Sequence, residues 1–304
     1  MLVSVFLAIA PILLLGGVAW LWRLWRQLDR RRDPFNPRDR GSRGAGEGIR
    51  SSLAQVSDDF DTTLAVAIAA APLFFSVWVG SKLEETGFRW STYRLDGSDV
   101  LLLVVALFVY VAAAWRLINL GERARRLRRA LDAELLTGQC LTQVMSEGGI
   151  VFHDFPADGF NIDHIVIGKS AVFAVETKSR MKPAAGGKDA ARVVYDGEVL
   201  RFPEHCETKP VEQAARQADW LRRFLASGVG EPVPVIPYLA LPGWFVDNKA
   251  HRPAVLVGNP KNTMFMARDG FGPALGEVTK RRIAHVLSER YQAEAKRRGV
   301  ESGS

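Results

Sequence analysis

Glu176 and Lys178 stand two residues apart in VFAVETK (172–178), a run otherwise made of apolar residues and one threonine. Asp163 lies upstream in NIDHIVI (161–167). Residues two apart on a strand share a face, so Glu176 and Lys178 project together while Val175 and Thr177 point the other way. If the strand around Asp163 pairs with the strand around Glu176, the two carboxylates converge. Converging carboxylates repel and desolvate each other unless a cation joins them. Hard divalent cations take such oxygen ligands, and Mg²⁺ keeps several waters that phosphates can share or displace. A lysine beside that ion would position water and steady the charge of a phosphorane-like centre. This chemistry suits phosphodiester hydrolysis. The plainer reading is a Glu176–Lys178 ion pair on a solvated face, since an isolated E-x-K is common.

The elements that must position these residues follow from periodicity. From about Arg123, Leu127, Leu131, Leu135, Leu141 and Val144 fall near one helical face. Ile150–Phe155 reads as a strand ending at Pro156, Asn161–Ile167 alternates before Gly168, and Ala171–Thr177 is a second strand of β-branched and aromatic residues. Met181–Lys188 is a loop, and Arg192–Phe202 around Asp196-Gly197 signals a hairpin. Val211–Ala226 predicts an amphipathic helix. Val233–Leu241 is a strand placed at a sheet edge by Pro234 and Pro237. A short strand at Ala254–Val257 and a closing helix at Glu277–Arg298 complete a mixed α/β domain with a central sheet.

Other polar residues carry less. His164 alternates away from Asp163 and reads as a structural histidine, and His153-Asp154 as a local hydrogen-bond pair on the first strand. Arg180 and Lys182 follow the E-x-K as ordinary exposed bases that could touch phosphates. Trp220, Trp244 and Phe245 read as core or rim rather than stacking platforms. Cys140 and Cys206 have no zinc-site spacing and make no disulfide framework.

The 304-residue chain carries a formal charge of +7, but residues 1–130 hold 18 Lys+Arg against 12 Asp+Glu and residues 131–304 hold 22 against 21. The basic excess therefore sits in the N-terminal part, and any nucleic-acid reading must come from the site. That N-terminal part reads as a membrane region, 1–122, with spans at about 2–22, 62–80 and 100–120, each long enough for a hydrocarbon layer of roughly 30 Å. A cleaved signal peptide fits the first block poorly, because no basic residue precedes it and arginines follow. Trp20, Trp22 and Trp25 form an interfacial belt. Arginines crowd the end of the first span, and five more lie in GERARRLRR (121–129). The 81–99 loop instead sets Lys82, Arg89 and Arg94 against Glu84, Glu85, Asp96 and Asp99. Positive-inside bias then places the N-terminus outside and the domain from 123 to 304 in the cytoplasm, on a plasma or inner membrane. The Gly-, Pro- and Arg-rich stretch Asp33–Arg50 reads as a flexible cytoplasmic loop whose arginines rest on anionic headgroups. The expected spans contain no ionisable residue near a midplane, which disfavours a transporter.

Asp163-His164, Gly168 and VFAVETK, together with LDAELLTGQCLTQVM at 131–145, resemble the nuclease-related domain, NERD, of the PD-(D/E)xK nuclease superfamily. The family's Gly-Glu pair in that opening helix appears here as Ala133-Glu134, so the acid is present and the glycine is not. The resemblance covers roughly 125–225, with the domain core at about 125–241. It implies a restriction-endonuclease-like mixed sheet flanked by helices. Asp163 and Glu176 would be ligands for Mg²⁺ or Mn²⁺, Lys178 the catalytic lysine, and Glu134 a helix-borne acid that completes or orients the metal site. Gln213 and Gln217, four apart on one helical face, resemble the glutamine-bearing helix beside such sites.

The expectation is therefore a nuclease acting on DNA or RNA from three transmembrane helices in the lipid bilayer. A membrane-tethered module that binds nucleic acid or protein without catalysis is the alternative. The near-neutral domain mildly favours that alternative, and the intact acid–acid–lysine set disfavours it.

Overall fold

The computed structural model describes residues 43–86, 94–184 and 187–301. Of these, 52–86 and 94–126 form one compact unit, and 43–51 with 127–301 form another.

The first unit is built from most of helix α1 (Glu47–Thr86) and the first part of helix α2 (Gly97–Ser146). Both helices are long and apolar enough to cross a membrane by length and composition. Leu103, Phe108 and Trp115 of α2 are 69–73% exposed, which water alone would disfavour. Two candidate spans thus stand among the described residues, not three; the block expected at 2–22 lies outside them. Where α1 ends and α2 begins, the buried Lys82 ammonium lies 3.0 Å from Asp96 Oδ2 and 3.2 Å from Asp99 Oδ1, and Trp78 Nε1 donates to Asp99. The helix expected from about Arg123 is not separate: α2 runs unbroken from its apolar half into the second unit.

The second unit holds two sheets. The larger has the order β1 (Ile150–Pro156), β2 (Asn161–Ile167), β3 (Val172–Thr177), β7 (Val235–Ala240), β9 (Leu256–Gly258), with β1–β2–β3 antiparallel and β3–β7–β9 parallel. The smaller has the order β6 (Cys206–Glu207), β5 (Leu200–Arg201), β4 (Arg192–Tyr195), β8 (Phe245–Asn248). On β3 the side chains alternate: Val172 and Ala174 join a core with Leu221 and Leu225 of α3 (Lys209–Val229) and Ile283 and Leu287 of α4 (Glu277–Glu301). Phe173 and Val175 join a core with Leu141 and Val144 of α2. The sheet is thus covered on both faces, as its nearly continuous burial requires.

The hairpin expected at 192–202 forms, in the second sheet, which β8 completes by pairing parallel to β4. One expectation is corrected: the strand at 233–241 is internal, not an edge, because β9 lies on its far side. Its prolines survive there because β9 is so short. The partners of β9 begin at Tyr238, so Pro237 has a neighbouring strand only on the β3 side, where it stands opposite Ala174.

Candidate active site

Alternation along β3 fixes the first side chain. Glu176 shares the face of Val172 and Ala174, and so meets α3. On α3 the buried residues Ala214, Gln217, Ala218, Leu221 and Leu225 recur at three-to-four-residue spacing, with Gln217 as the polar member of an apolar stripe. Gln217 Nε2 donates to Glu176 Oε2 at 2.6 Å, and Gln213, one turn earlier, donates Nε2 to Glu176 Oε1 at 2.8 Å. Lys178 Nζ lies 2.5 Å from Oε1 of the same carboxylate. Glu176 is 2% exposed, so these donors replace the water it has lost. Lys178 keeps about a quarter of its side chain open, and its backbone N–H donates to Ala240 at the end of β7.

Register brings Asp163 to the same place. His164 on β2 pairs with Val175 on β3, so one step on Asp163 stands opposite Glu176. Its Oδ2 accepts the Thr177 N–H at 2.6 Å. Burial, together with the neighbouring Glu176 and Glu134 carboxyls, pushes its pKa well above the ordinary carboxylate range, against the pull of the Thr177 N–H and Lys178. Glu134, projecting from α2, is 4% exposed. Burial raises its pKa to about 7; the Gly46 N–H opposes this, while Asp154 and Glu176 add to it. Glu134, Asp163 and Glu176 therefore feel one another, and all five residues expected from the sequence (these three with Lys178 and Gln213) converge on one end of the sheet.

Sequence reasoning passed over two contributors. The first is Asp154, 5% exposed on β1, whose φ of 47° lies in the left-handed region that few non-glycine residues adopt. Its carboxylate accepts Asn161 Nδ2 at 2.7 Å and the Gly48 N–H at 2.9 Å, and Arg43 Nη1 lies 3.5 Å away. The second is the segment 43–48. Expected to lie in a flexible loop, it is instead a turn leading into α1, with the Gly46 N–H donated to Glu134 Oε1 at 2.9 Å. The His153-Asp154 dipeptide marked Asp154 only as a local partner, and nothing in the Gly- and Arg-rich stretch signals its contacts.

The remaining candidates fall outside the chemistry. His164 is fully buried and its Nδ1 lies 2.8 Å from His153 Nδ1; burial and the neighbouring His153 push its pKa down to about 3, so it is a neutral core histidine. Arg180 is engaged by Glu207 through two hydrogen bonds of 2.7 and 2.6 Å and is not a free phosphate contact.

The donor chemistry fits a hard cation. Carboxylate oxygens of Asp163, Glu176 and Glu134 are joined by the Gln217 amide oxygen, which is buried and has no hydrogen-bond partner among the described residues. Among the described residues, however, no three His, Cys, Asp or Glu side chains are grouped as a ready metal cage. Both oxygens of Glu176 are taken by Gln213, Gln217 and Lys178.

No curated protein and no solved structure matches the chain. Residues 129–242, from α2 to just beyond β7, match the family model of the nuclease-related domain, NERD, and that span includes every residue placed in this site except the segment 43–48.

Proposed function

We propose that the chain is a membrane-anchored, metal-dependent nuclease of the PD-(D/E)xK type that hydrolyses phosphodiester bonds of DNA or RNA on the cytoplasmic side. The observation that carries this reading is the convergence of Asp163, Glu176, Lys178 and Glu134 inside a segment that matches the nuclease-related domain. Asp163 and Glu176 would hold Mg²⁺ or Mn²⁺, with Glu134 and the Gln217 amide oxygen nearby. Such an ion, when bound, acidifies water and neutralises phosphate charge.

The chain's own groups do the rest. Gln213 and Gln217 fix the Glu176 carboxylate, and the Thr177 N–H fixes Asp163. Lys178 keeps its ammonium against Glu176 with a solvent-open side, where it can meet the phosphoryl oxygens as negative charge builds on them. Glu134, whose carboxyl burial pushes up to about 7, is the helix-borne acid that would complete or orient the metal site. The two apolar helices, with the Arg-rich stretch at 121–129 following the second, support anchoring and a cytoplasmic domain.

The test is cleavage of labelled single-stranded DNA, duplex DNA and RNA by the full-length chain in detergent, with Mg²⁺ or Mn²⁺. Cleavage that disappears in Lys178→Ala at unchanged melting temperature is expected. No cleavage of any of the three substrates overturns the reading.

The saturation of Glu176 by three donors favours a second reading, a tethered binding module without catalysis. Nucleic-acid binding that is indifferent to divalent cations and to Asp163→Asn would select it.

A further inference from the structure

We propose that the cavity beside the C-terminal ends of β7 and β9 receives an unstacked base of a single nucleic-acid strand whose backbone passes Lys178. The proposal rests on the nuclease reading and names the class of its substrate. The cavity measures about 690 Å³, within the range of small-ligand sites. Its lining includes the exposed Phe245, Asn262 and Lys261 beside the buried Tyr238 and Trp244, and it has no carboxylate residue. An exposed ring, an amide and a lysine are what a base with its phosphate needs, and the missing carboxylate removes a group that would repel the phosphate.

Phe245 is the anchor. The sequence placed it in core or rim; it is 62% exposed at the start of β8, while its neighbour Trp244 is buried at 1%. The Arg192 guanidinium lies 5.6 Å from the Phe245 ring centroid, a cation–π contact, and also meets Asp189 at 3.9 Å. Asp247 follows on the same strand, but Arg192 at 3.7 Å and Lys249 at 3.1 Å offset its charge. Lys261 and Asn262 are exposed, and the Asn262 side chain has no hydrogen-bond partner among the described residues.

Backbone contacts tie the cavity to the carboxylate cluster. Trp244 Nε1 donates to the Arg180 carbonyl, two residues beyond Lys178. Two residues of chain span at most about 7 Å. Between them runs the loop at Gly243, whose φ of 81° keeps the backbone bare; Lys182 flanks it, 3.9 Å from where a Cβ would stand. A strand leaving Lys178 would thus meet Lys182 and then the Phe245 ring. A stacked duplex keeps its bases paired and cannot insert one without unstacking it.

Binding is measured by fluorescence anisotropy on the full-length Lys178→Ala chain in detergent, with a fluorescein-labelled single-stranded oligonucleotide and its duplex as probes. Phe245→Ala is expected to weaken single-strand binding about tenfold, Phe245→Trp to restore it, and Lys261→Ala to weaken it a few-fold with a salt slope lower by about one. Single-strand binding unchanged by Phe245→Ala overturns the proposal, as does an equal loss on duplex. Adenosine monophosphate competing as well as the strand also overturns it, because the cavity would then serve free nucleotides. Cleavage by the unmutated chain is scored separately. Cleavage with Phe245-independent binding sinks the cavity alone, whereas Phe245-dependent binding without any cleavage sinks the nuclease reading alone.

Discussion

The backbone N–H of Gly46 donates to Glu134 Oε1 at 2.9 Å, joining the turn ahead of α1 to an acid 88 residues away on α2. Gly48, two residues on, donates in the same way to Asp154. A segment that reads as linker therefore supplies backbone donors to two buried acids, and the span matching the nuclease-related domain does not contain it. Gly46 suits this task because its φ is +73° and because a Cβ there would lie 2.3 Å from Leu131 Cδ1. Gly46→Ala is expected to destabilise the turn by about 1–2 kcal/mol through the left-handed backbone alone. Limited trypsin digestion should then cut faster at Arg43 and Arg50 than in the parent. An unchanged digestion rate would show that the left-handed backbone at residue 46 does not strain the turn.

Glu134 gives the second unit a pH dependence with a definite sign. Its carboxyl keeps its proton to about pH 7 when folded, against an ordinary value of 4.5. The unfolded chain thus binds fewer protons between those values, and stability falls as pH rises from about 4.5 to 7. Glu134→Gln removes the titrating group and keeps an acceptor for Gly46. It is expected to raise the melting temperature at pH 8 and leave it nearly unchanged at pH 4.5. Thermal melts at the two pH values check this; an equal change at both would mean that the carboxyl's charge is not what matters.

Much of this site could be read from the strands, because a period of two puts Glu176 and Lys178 on one face and pairing of the preceding strand brings Asp163 beside them. Spacing puts Gln213 and Gln217 on one helical face, and only the resemblance to the nuclease-related domain pointed that face at the site. What could not be read has nonlocal causes. The donors of Gly46 and Gly48 are backbone groups, which leave no mark in side-chain type. Asp154 acts through a left-handed backbone that no local signal announces. Pro237 was a misleading edge signal because a three-residue strand covers only the part of β7 beyond it. The assignment of residues 192–202 to a second sheet depends on β8, an exposed four-residue strand without apolar alternation strong enough to be recognised.

The proposed cation should appear as a ligand-dependent melting temperature. A ligand at one hundred times its dissociation constant stabilises the folded state by about 2.7 kcal/mol, so Mn²⁺ titrated against the full-length chain should raise the melting temperature. Asp163→Asn keeps an oxygen for the Thr177 N–H and removes the charge; the shift should vanish in it. Because Asp163 and Glu134 hold their protons above the ordinary carboxylate range, protons compete with the metal and the shift should be larger at pH 8 than at pH 6. A shift of the same size in the Asp163→Asn chain would place the ion elsewhere.

Orientation in the membrane is open to a direct chemical test. Five arginines follow the apolar part of α2, whereas the sequence between α1 and α2 carries nearly balanced charge, so the proposed orientation expects that segment on the outer side. Leu95, two residues ahead of α2, is 77% exposed, and Cys206 in the second unit is exposed as well. With Cys140 and Cys206 replaced by serine, Leu95→Cys should react with a membrane-impermeant maleimide added to intact cells. Cys206 of the unaltered chain should react only after lysis. The reverse pattern would put the carboxylate cluster outside, away from the nucleic acid it is proposed to cut, and would count against both the orientation and the nuclease reading. Failure of both cysteines to react before lysis would put residue 95 and the second unit on the same side, and α1 and α2 could not then each cross once.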